Sequence, residues 1–269
     1  MPQFFIKISN ITDNMLFIDD KSDIKHITAV LRLSKNNELV LTDENHITHR
    51  ARIVEVSPHA ITAEIIDSRK SEKTLKTSIT LAQSILKSAA QDMVIQKATE
   101  LGVREVIPLL TRYTVVKLQS GRDVSQKLDR WQKIAYESCK QCERADIPEV
   151  RRVLDFNGLI ELRQEYDIVF ACVERNAERS IKEFLRGYVD VSLDPPQRQT
   201  LSSTHQAQFI GAGISCLVII GPEGGWSDDE LAKFKEHCIA QVSLGNLILR
   251  AETASITALA DIIYEFELD

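Results

Sequence analysis

The chain lacks most of the features that settle a protein's class at first sight. No apolar run approaches the length a helix needs to span a bilayer. The first residues, with Gln3 and Lys7 around Phe4, Phe5 and Ile6, do not follow the layout of a secretory signal. A cytoplasmic protein without a membrane partner is the expectation these absences carry. Cysteine is sparse and odd in number, five in 269 residues, which argues for reduced thiols over a disulfide framework. Cys139 and Cys142 form a lone Cys-x-x-Cys pair without the two further ligands a structural zinc needs, so buried thiols and no metal are expected there. The six histidines are scattered. There is no Gly-x-x-x-x-Gly-Lys-Ser/Thr loop, no Gly-x-Gly-x-x-Gly after a strand, no Gly-x-Ser-x-Gly elbow and no His-Glu-x-x-His.

What is present is unevenly spread. The net charge of −6 divides into −1 over residues 1–75, +5 over 76–154 and −10 over 155–269. Phosphate binding needs a local basic patch rather than a basic protein, so the middle third keeps an RNA partner open, while a solvated helix face explains the same charges without one.

The first seventy residues read as short β-branched runs, Phe4 to Ile8, Met15 to Ile18, Glu38 to Thr42, Ile47 to Val56 and Ala60 to Ile66, which suggest a small barrel. A helix is expected from Ser22 to Leu33. Ser68 to Ser78 is polar and reads as a linker. Strands and helices then alternate: strand Ile79 to Ile85, a helix to Leu101 closed by Gly102, strand Val103 to Leu110, a long helix from about Asp123 to Glu143, strand Tyr166 to Val173 and a helix from about Ala177 to Arg186. Such alternation predicts a parallel sheet covered on both faces. Asp190 to Phe209 breaks the rhythm and reads as a surface loop without chemistry.

The most informative stretch is Ile214 to Glu230. An apolar strand runs to Ile220, breaks into Gly221-Pro222-Glu223-Gly224-Gly225, and restarts as a helix where Ser227 and Glu230 have capping-box spacing. Strand Ile239 to Leu244 repeats the plan, with a loop opened by Gly245 and a helix from about Thr253. Loops at the carboxyl ends of parallel strands are where open α/β sheets bind ligands, and three glycines in five positions let a ligand approach the main chain. A plain glycine turn would look the same from one loop alone.

The two loops together, Gly-Pro-Glu-Gly-Gly and Leu244-Gly245-x-x-Ile248-Leu249-Arg250-x-Glu252-Thr253-Ala254, resemble the knotted SPOUT methyltransferases. Within them, the chain resembles the family that methylates N3 of a uridine in small-subunit ribosomal RNA. Val94 to Val103 with Ile107-Pro108, Trp131 to Ile134 with Gln141 to Arg144 and Pro148, and Val30-Leu31-Arg32 carry the same resemblance elsewhere. It implies an α/β fold in which a PUA-like β-barrel, residues 1–72, precedes a trefoil-knotted SPOUT domain, residues 73–269. It also implies S-adenosyl-L-methionine (SAM) as cofactor, ribosomal RNA or the small ribosomal subunit as partner, and a homodimer. The chain departs from the family where arginines are usual, at Gln3, Tyr113 and Leu247.

On this reading the cofactor is held by Ile220, Gly221, Pro222, Glu223, Gly224, Gly225, Leu244, Gly245, Ile248 and Leu249. N3 of uridine is protonated at neutral pH, so the reaction needs a cation beside O2 or O4 and an acceptor for the proton. Arg250 is the candidate cation and Glu252 the candidate acceptor, with Glu223 behind it. Arg32, Lys87, Lys97, Arg112, Lys117 and Arg144 are the candidate RNA contacts. Methylation of a ribose 2′-oxygen, or an RNA-binding assembly factor without turnover, would account for the same motifs.

Overall fold

The computed structural model describes residues 3–71, 74–118, 120–189 and 213–268. The polar stretch Asp190 to Phe209 lies outside them. Among the described residues no helix is long and apolar enough to cross a membrane. The chain divides into two compact units, one made of Met1–Thr74 with Tyr136–Ile147, the other of Leu75–Ala135 with Pro148–Asp269.

The first unit is a six-stranded mixed sheet. Its strands are β1 (Gln3–Phe5), β2 (Ile11–Thr12), β3 (Met15–Ile18), β4 (Glu38–Thr42), β5 (Ile47–Val56) and β6 (Ile61–Lys70), in the order β1-β4-β5-β6-β3-β2. Alternation sets which face is buried: Leu16 and Ile18, Leu39 and Leu41, Ala51 and Ile53, and Ile61 and Ala63 all point into one core with Phe4 and Ile27. The expected linker is shorter than its composition suggested. Ser68, Arg69 and Lys70 pair with His49, Thr48 and Ile47, so cross-strand hydrogen bonding extends β6 through a polar sequence. The expected helix from Ser22 is also interrupted. Helix α1 (Lys21–Lys25), capped by the Asp20 side chain, passes into a π-helical turn at His26–Val30. That turn ends at Arg32, whose φ of 56° is left-handed.

Tyr136–Ile147 belongs to this unit, which differs from the expected division at residue 72. Buried Lys140 Nζ donates to Asp23 Oδ1 at 2.7 Å, and the Tyr136 hydroxyl donates to Asp23 Oδ2 at 3.3 Å. Gln3 Nε2 donates to the carbonyl of Arg144 at 2.6 Å. Gln3 is therefore a buried tie to the main chain.

The second unit is an eight-stranded sheet in which every pairing is parallel. In chain order it comprises β7 (Ser78–Ser84), α2 (Ser88–Glu100), β8 (Glu105–Leu110), α3 (Gly121–Cys142, whose last residues count with the first unit), β9 (Glu149–Val150) and β10 (Leu154–Asp155). There follow α4 (Phe156–Leu162), β11 (Ile168–Cys172), β12 (Arg179–Ser180), α5 (Ile181–Val189), β13 (Ser215–Ile220), α6 (Asp228–Glu236), β14 (Ala240–Ser243) and α7 (Ala251–Phe266). The order is β10-β8-β7-β13-β11-β14-β12, with β9 beside β8.

Both faces of this sheet are buried, as the near-continuous apolar strands require. Cys216, Val218 and Ile220 of β13 enter one core with Ile79 and Leu81 of β7, Phe170 of β11 and Leu259 of α7. Leu217 and Ile219 enter the other with Ala171, Leu159 of α4 and Phe234 of α6. Gly102 ends α2 with a φ of 87°, and a Cβ there would stand 2.6 Å from Leu75.

Candidate functional site

Three loops leave the carboxyl ends of β13, β11 and β14 and line one cleft of about 590 Å³, a size ordinary for a small-molecule site. The order β13-β11-β14 explains the convergence, because β11 lies between the two strands whose loops carry the glycines. Ile220, Gly221, Pro222, Glu223 and Gly225 line the cleft from one side. Leu244, Gly245, Ile248 and Leu249 line it from the other, with Arg250 and Glu252 beside them.

The glycine loop has its shape for identifiable reasons. Gly225 adopts a φ of 70°, and a Cβ on it would fall 2.1 Å from Glu174 Oε1. Under the loop, the Trp226 indole donates to the carbonyl of Cys172 at 2.8 Å and packs edge-on to Phe234. A Cβ on Gly221 would meet that indole at 3.0 Å. Glu223 Oε1 accepts the Lys87 backbone N–H at 3.3 Å, which ties the entrance of α2 to the loop. Gly224 does not line the cleft. It faces away, where a Cβ would lie 2.8 Å from Cβ of Tyr113.

Helix α6 begins at the expected capping box: Ser227 Oγ accepts from Glu230 N–H, and Glu230 accepts from Ser227 N–H at 2.9 Å. Helix α7 begins at Ala251, earlier than the sequence suggested, so Glu252 stands in its first turn and Arg250 is its N-cap. The Arg250 side chain is exposed and, among the described residues, makes no ion pair with Glu252 or Glu223.

The cleft has one wall that sequence reasoning did not assign. Cys172, the last residue of β11, and Val173 and Glu174 after it border the cleft. Only their position at the carboxyl end of a parallel strand hinted at this. Burial pushes the Cys172 thiol well above the usual range, so it is a protonated wall and no nucleophile.

The residues present fit SAM. Main-chain groups and the apolar side chains of Leu244, Ile248 and Leu249 suit a nucleoside, and the acidic residues Glu174, Glu223 and Glu252 in the same lining suit a cationic donor.

The candidate RNA residues separate into groups. Lys87 is exposed at the cleft, and Arg112 and Lys117 are exposed elsewhere on the same unit. Lys97 pairs with Glu100 at 2.8 Å on the surface. Arg32 is exposed on the first unit, in its left-handed conformation. Arg144 differs from the others: its guanidinium is buried and pairs with Asp146 at 2.6 Å. In the Cys-x-x-Cys pair, burial pushes Cys139 up to about 12, and its thiol donates to the carbonyl of Asp146.

Comparisons with known proteins agree with this geometry. A family model described as RNA methyltransferase domain matches residues 73–263, and one described as RNA methyltransferase PUA domain matches residues 18–66. The chain is 27% identical over its whole length to ribosomal RNA small subunit methyltransferase E of Bacillus subtilis, covering 98% of it. It is 30% identical to the Synechocystis protein of that name, over 90% of this chain and 70% of the relative. A solved structure from Legionella pneumophila, described as a methyltransferase in complex with SAM, superposes with a TM-score of 0.79 at 25% identity, covering 98% of this chain and 97% of that one. Ribosomal RNA small subunit methyltransferase E of Neisseria gonorrhoeae has the same fold, with a TM-score of 0.76 at 24% identity over 98% and 97% of the two chains.

Proposed function

This chain belongs to the RNA methyltransferase family, and from that premise we propose that it uses SAM to methylate N3 of a uridine in small-subunit ribosomal RNA. The observation that carries the reading is the convergence of the glycine loop, the end of β11 and the loop before α7 on one cleft that also presents Arg250 and Glu252.

When bound, SAM supplies an electrophilic methyl group on a sulfonium. The protein's part is chiefly positioning. The loops hold the donor through main-chain atoms and fix where an attacking nitrogen must stand. Arg250, exposed at the edge of the cleft, stabilises the negative charge that develops on a uridine oxygen as N3 loses its proton. Glu252, half-buried in the first turn of α7, accepts that proton. One N–C bond forms, one S–C bond breaks and one proton passes to a carboxylate.

RNA affinity comes from phosphate contacts. Lys87, Arg112 and Lys117 on the catalytic unit and Arg32 on the PUA-like unit are exposed and are the proposed contacts. The protein acts as a homodimer in the cytoplasm. Leu247 and Ile248, 79% and 67% exposed on the cofactor loop, support a second subunit over that rim.

The test is to incubate the protein with labelled SAM and small ribosomal subunits from cells lacking it, digest the RNA to nucleosides and identify the product by mass. N3-methyluridine is expected. A 2′-O-methylated nucleoside would move the reaction to another atom, and no transfer would end the reading.

A further inference from the structure

Glu230 does more than cap α6. Its carboxylate is 6% exposed and uses both oxygens. Oε2 accepts from the N–H and the hydroxyl of Ser227 at 2.9 and 2.8 Å, which completes the capping box. Oε1 accepts the backbone N–H of Arg112 at 2.8 Å, across 118 positions of sequence. A capping box needs only one acceptor oxygen and is served as well by glutamine. The second oxygen has a separate task.

That task concerns the turn Thr111 to Thr114, which follows β8. The turn is rigid: Thr111 N–H donates to Thr114 Oγ1 at 2.9 Å, Thr114 N–H donates to Thr111 O at 3.1 Å, and the Thr111 hydroxyl meets that of Ser84 at 3.2 Å. On one side Glu230 holds its backbone. On another it lies against Gly224 so closely that a Cβ there would stand 2.8 Å from Tyr113 Cβ. The main chain of the turn is thus fastened to the cofactor loop, while the side chains of Arg112 and Tyr113, the latter 48% exposed, remain in solvent. A cation next to an aromatic ring on a fixed turn matches single-stranded RNA, the guanidinium for phosphate and the ring for stacking a base.

We propose that Glu230 is a positioning residue for the RNA substrate, fixing Arg112 and Tyr113 against the face of the glycine loop turned away from the cleft, and that Tyr113 stacks a nucleobase of the RNA there, next to the segment that enters the cleft. This rests on the methyltransferase reading and adds to it the element that engages the base. Displacement of such an element by about 1 Å costs roughly a hundredfold in rate.

Glu230→Gln separates the two tasks: the single amide oxygen stays with the two donors of Ser227 and the NH2 then faces the Arg112 N–H, so the cap survives and the tether is lost. Methylation is measured with SAM and small subunits varied independently, alongside calorimetry with SAM and thermal unfolding. Glu230→Gln and Tyr113→Ala are each expected to raise KM for the subunits about tenfold and to leave the Kd for SAM within about twofold. The loss in the double variant should exceed that of Tyr113→Ala but fall short of the sum of the two single losses, because Glu230 acts partly through Tyr113 and partly through Arg112. Ser227→Ala, which removes the cap but not the tether, should lower Tm and leave KM for the subunits unchanged. An unchanged KM in Glu230→Gln, a parallel loss of SAM affinity, or additive effects in the double variant would overturn the proposal. Absence of methyl transfer by the unaltered protein would instead overturn the reading on which it stands.

Discussion

In the PUA-like unit, the segment Tyr136–Ile147 is held to the sheet chiefly by side chains: Lys140 to Asp23, the Tyr136 hydroxyl to Asp23, and Gln3 to a carbonyl. In the catalytic unit, the cleft is assembled from main chain, with Gly221, Gly225 and Gly245 on its walls and two acidic side chains, Glu223 and Glu230, fastening backbone N–H groups around the glycine loop. The contrast teaches where each unit is vulnerable. A structure held by a buried charge pair fails when one partner goes, because the other is left uncompensated. A site built from peptide groups is indifferent to most side chains and fails when a Cβ is added.

The largest effect that would test this contrast is Asp23→Ala, expected to cost about 3–5 kcal/mol in chemical denaturation. Adding Lys140→Met should recover most of it, since the unpaired ammonium rather than the lost attraction is the source of the cost. Recovery of less than about a third would mean that the pair itself, and not its desolvation, holds the segment.

Arg250→Ala comes next, at about 10²–10³ in kcat with SAM affinity unchanged, as expected for a group that acts on charge in the transition state. Unaltered turnover would remove Arg250 from the chemistry.

Gly225→Ala should cost about 1–2 kcal/mol in stability and weaken SAM binding about tenfold, since φ is left-handed and the new methyl displaces Glu174. If calorimetry found SAM binding intact in this variant, main-chain shape would not be what holds the cofactor.

The smallest effect is a slope in pH. Burial raises the thiols of Cys172 and Cys216 far above their usual range and pushes Cys139 up to about 12, while burial and then Asp23 raise the Tyr136 hydroxyl. Each folded value exceeds the unfolded one, so the native state keeps protons that the unfolded chain loses. This stability is whole below the unfolded thiol value near 9 and is lost as pH rises toward 12. Urea midpoints should therefore fall above about pH 9, and less steeply in Cys139→Ala.

The strands β3, β4 and β5 were legible to the residue because alternation and turn residues agree there. Helix α4 was not, since its seven residues carry Gly158 and depend on an Asp155 cap and the packing of Leu159 and Leu162. The two-residue strands β9 and β10 exist only through their pairing with β8. At the site, glycines and the Ser227–Glu230 spacing announced the loops. Glu174 remained hidden because it enters the cleft through strand order, which no local pattern encodes. The burial of Arg144 was not legible either, because it depends on a pairing with Asp146 that the sequence does not announce. Charge counts cannot distinguish a side chain spent on the fold from one available to a ligand.

The position of Trp226 gives the protein an optical reporter. The chain has two tryptophans, Trp131 in the core of the catalytic sheet and Trp226 directly beneath the glycine loop, its ring against Gly221 and its N–H on the carbonyl of Cys172. With Trp131 replaced by phenylalanine, the emission of the remaining indole would report occupancy of the cleft in real time, without label or coupled assay.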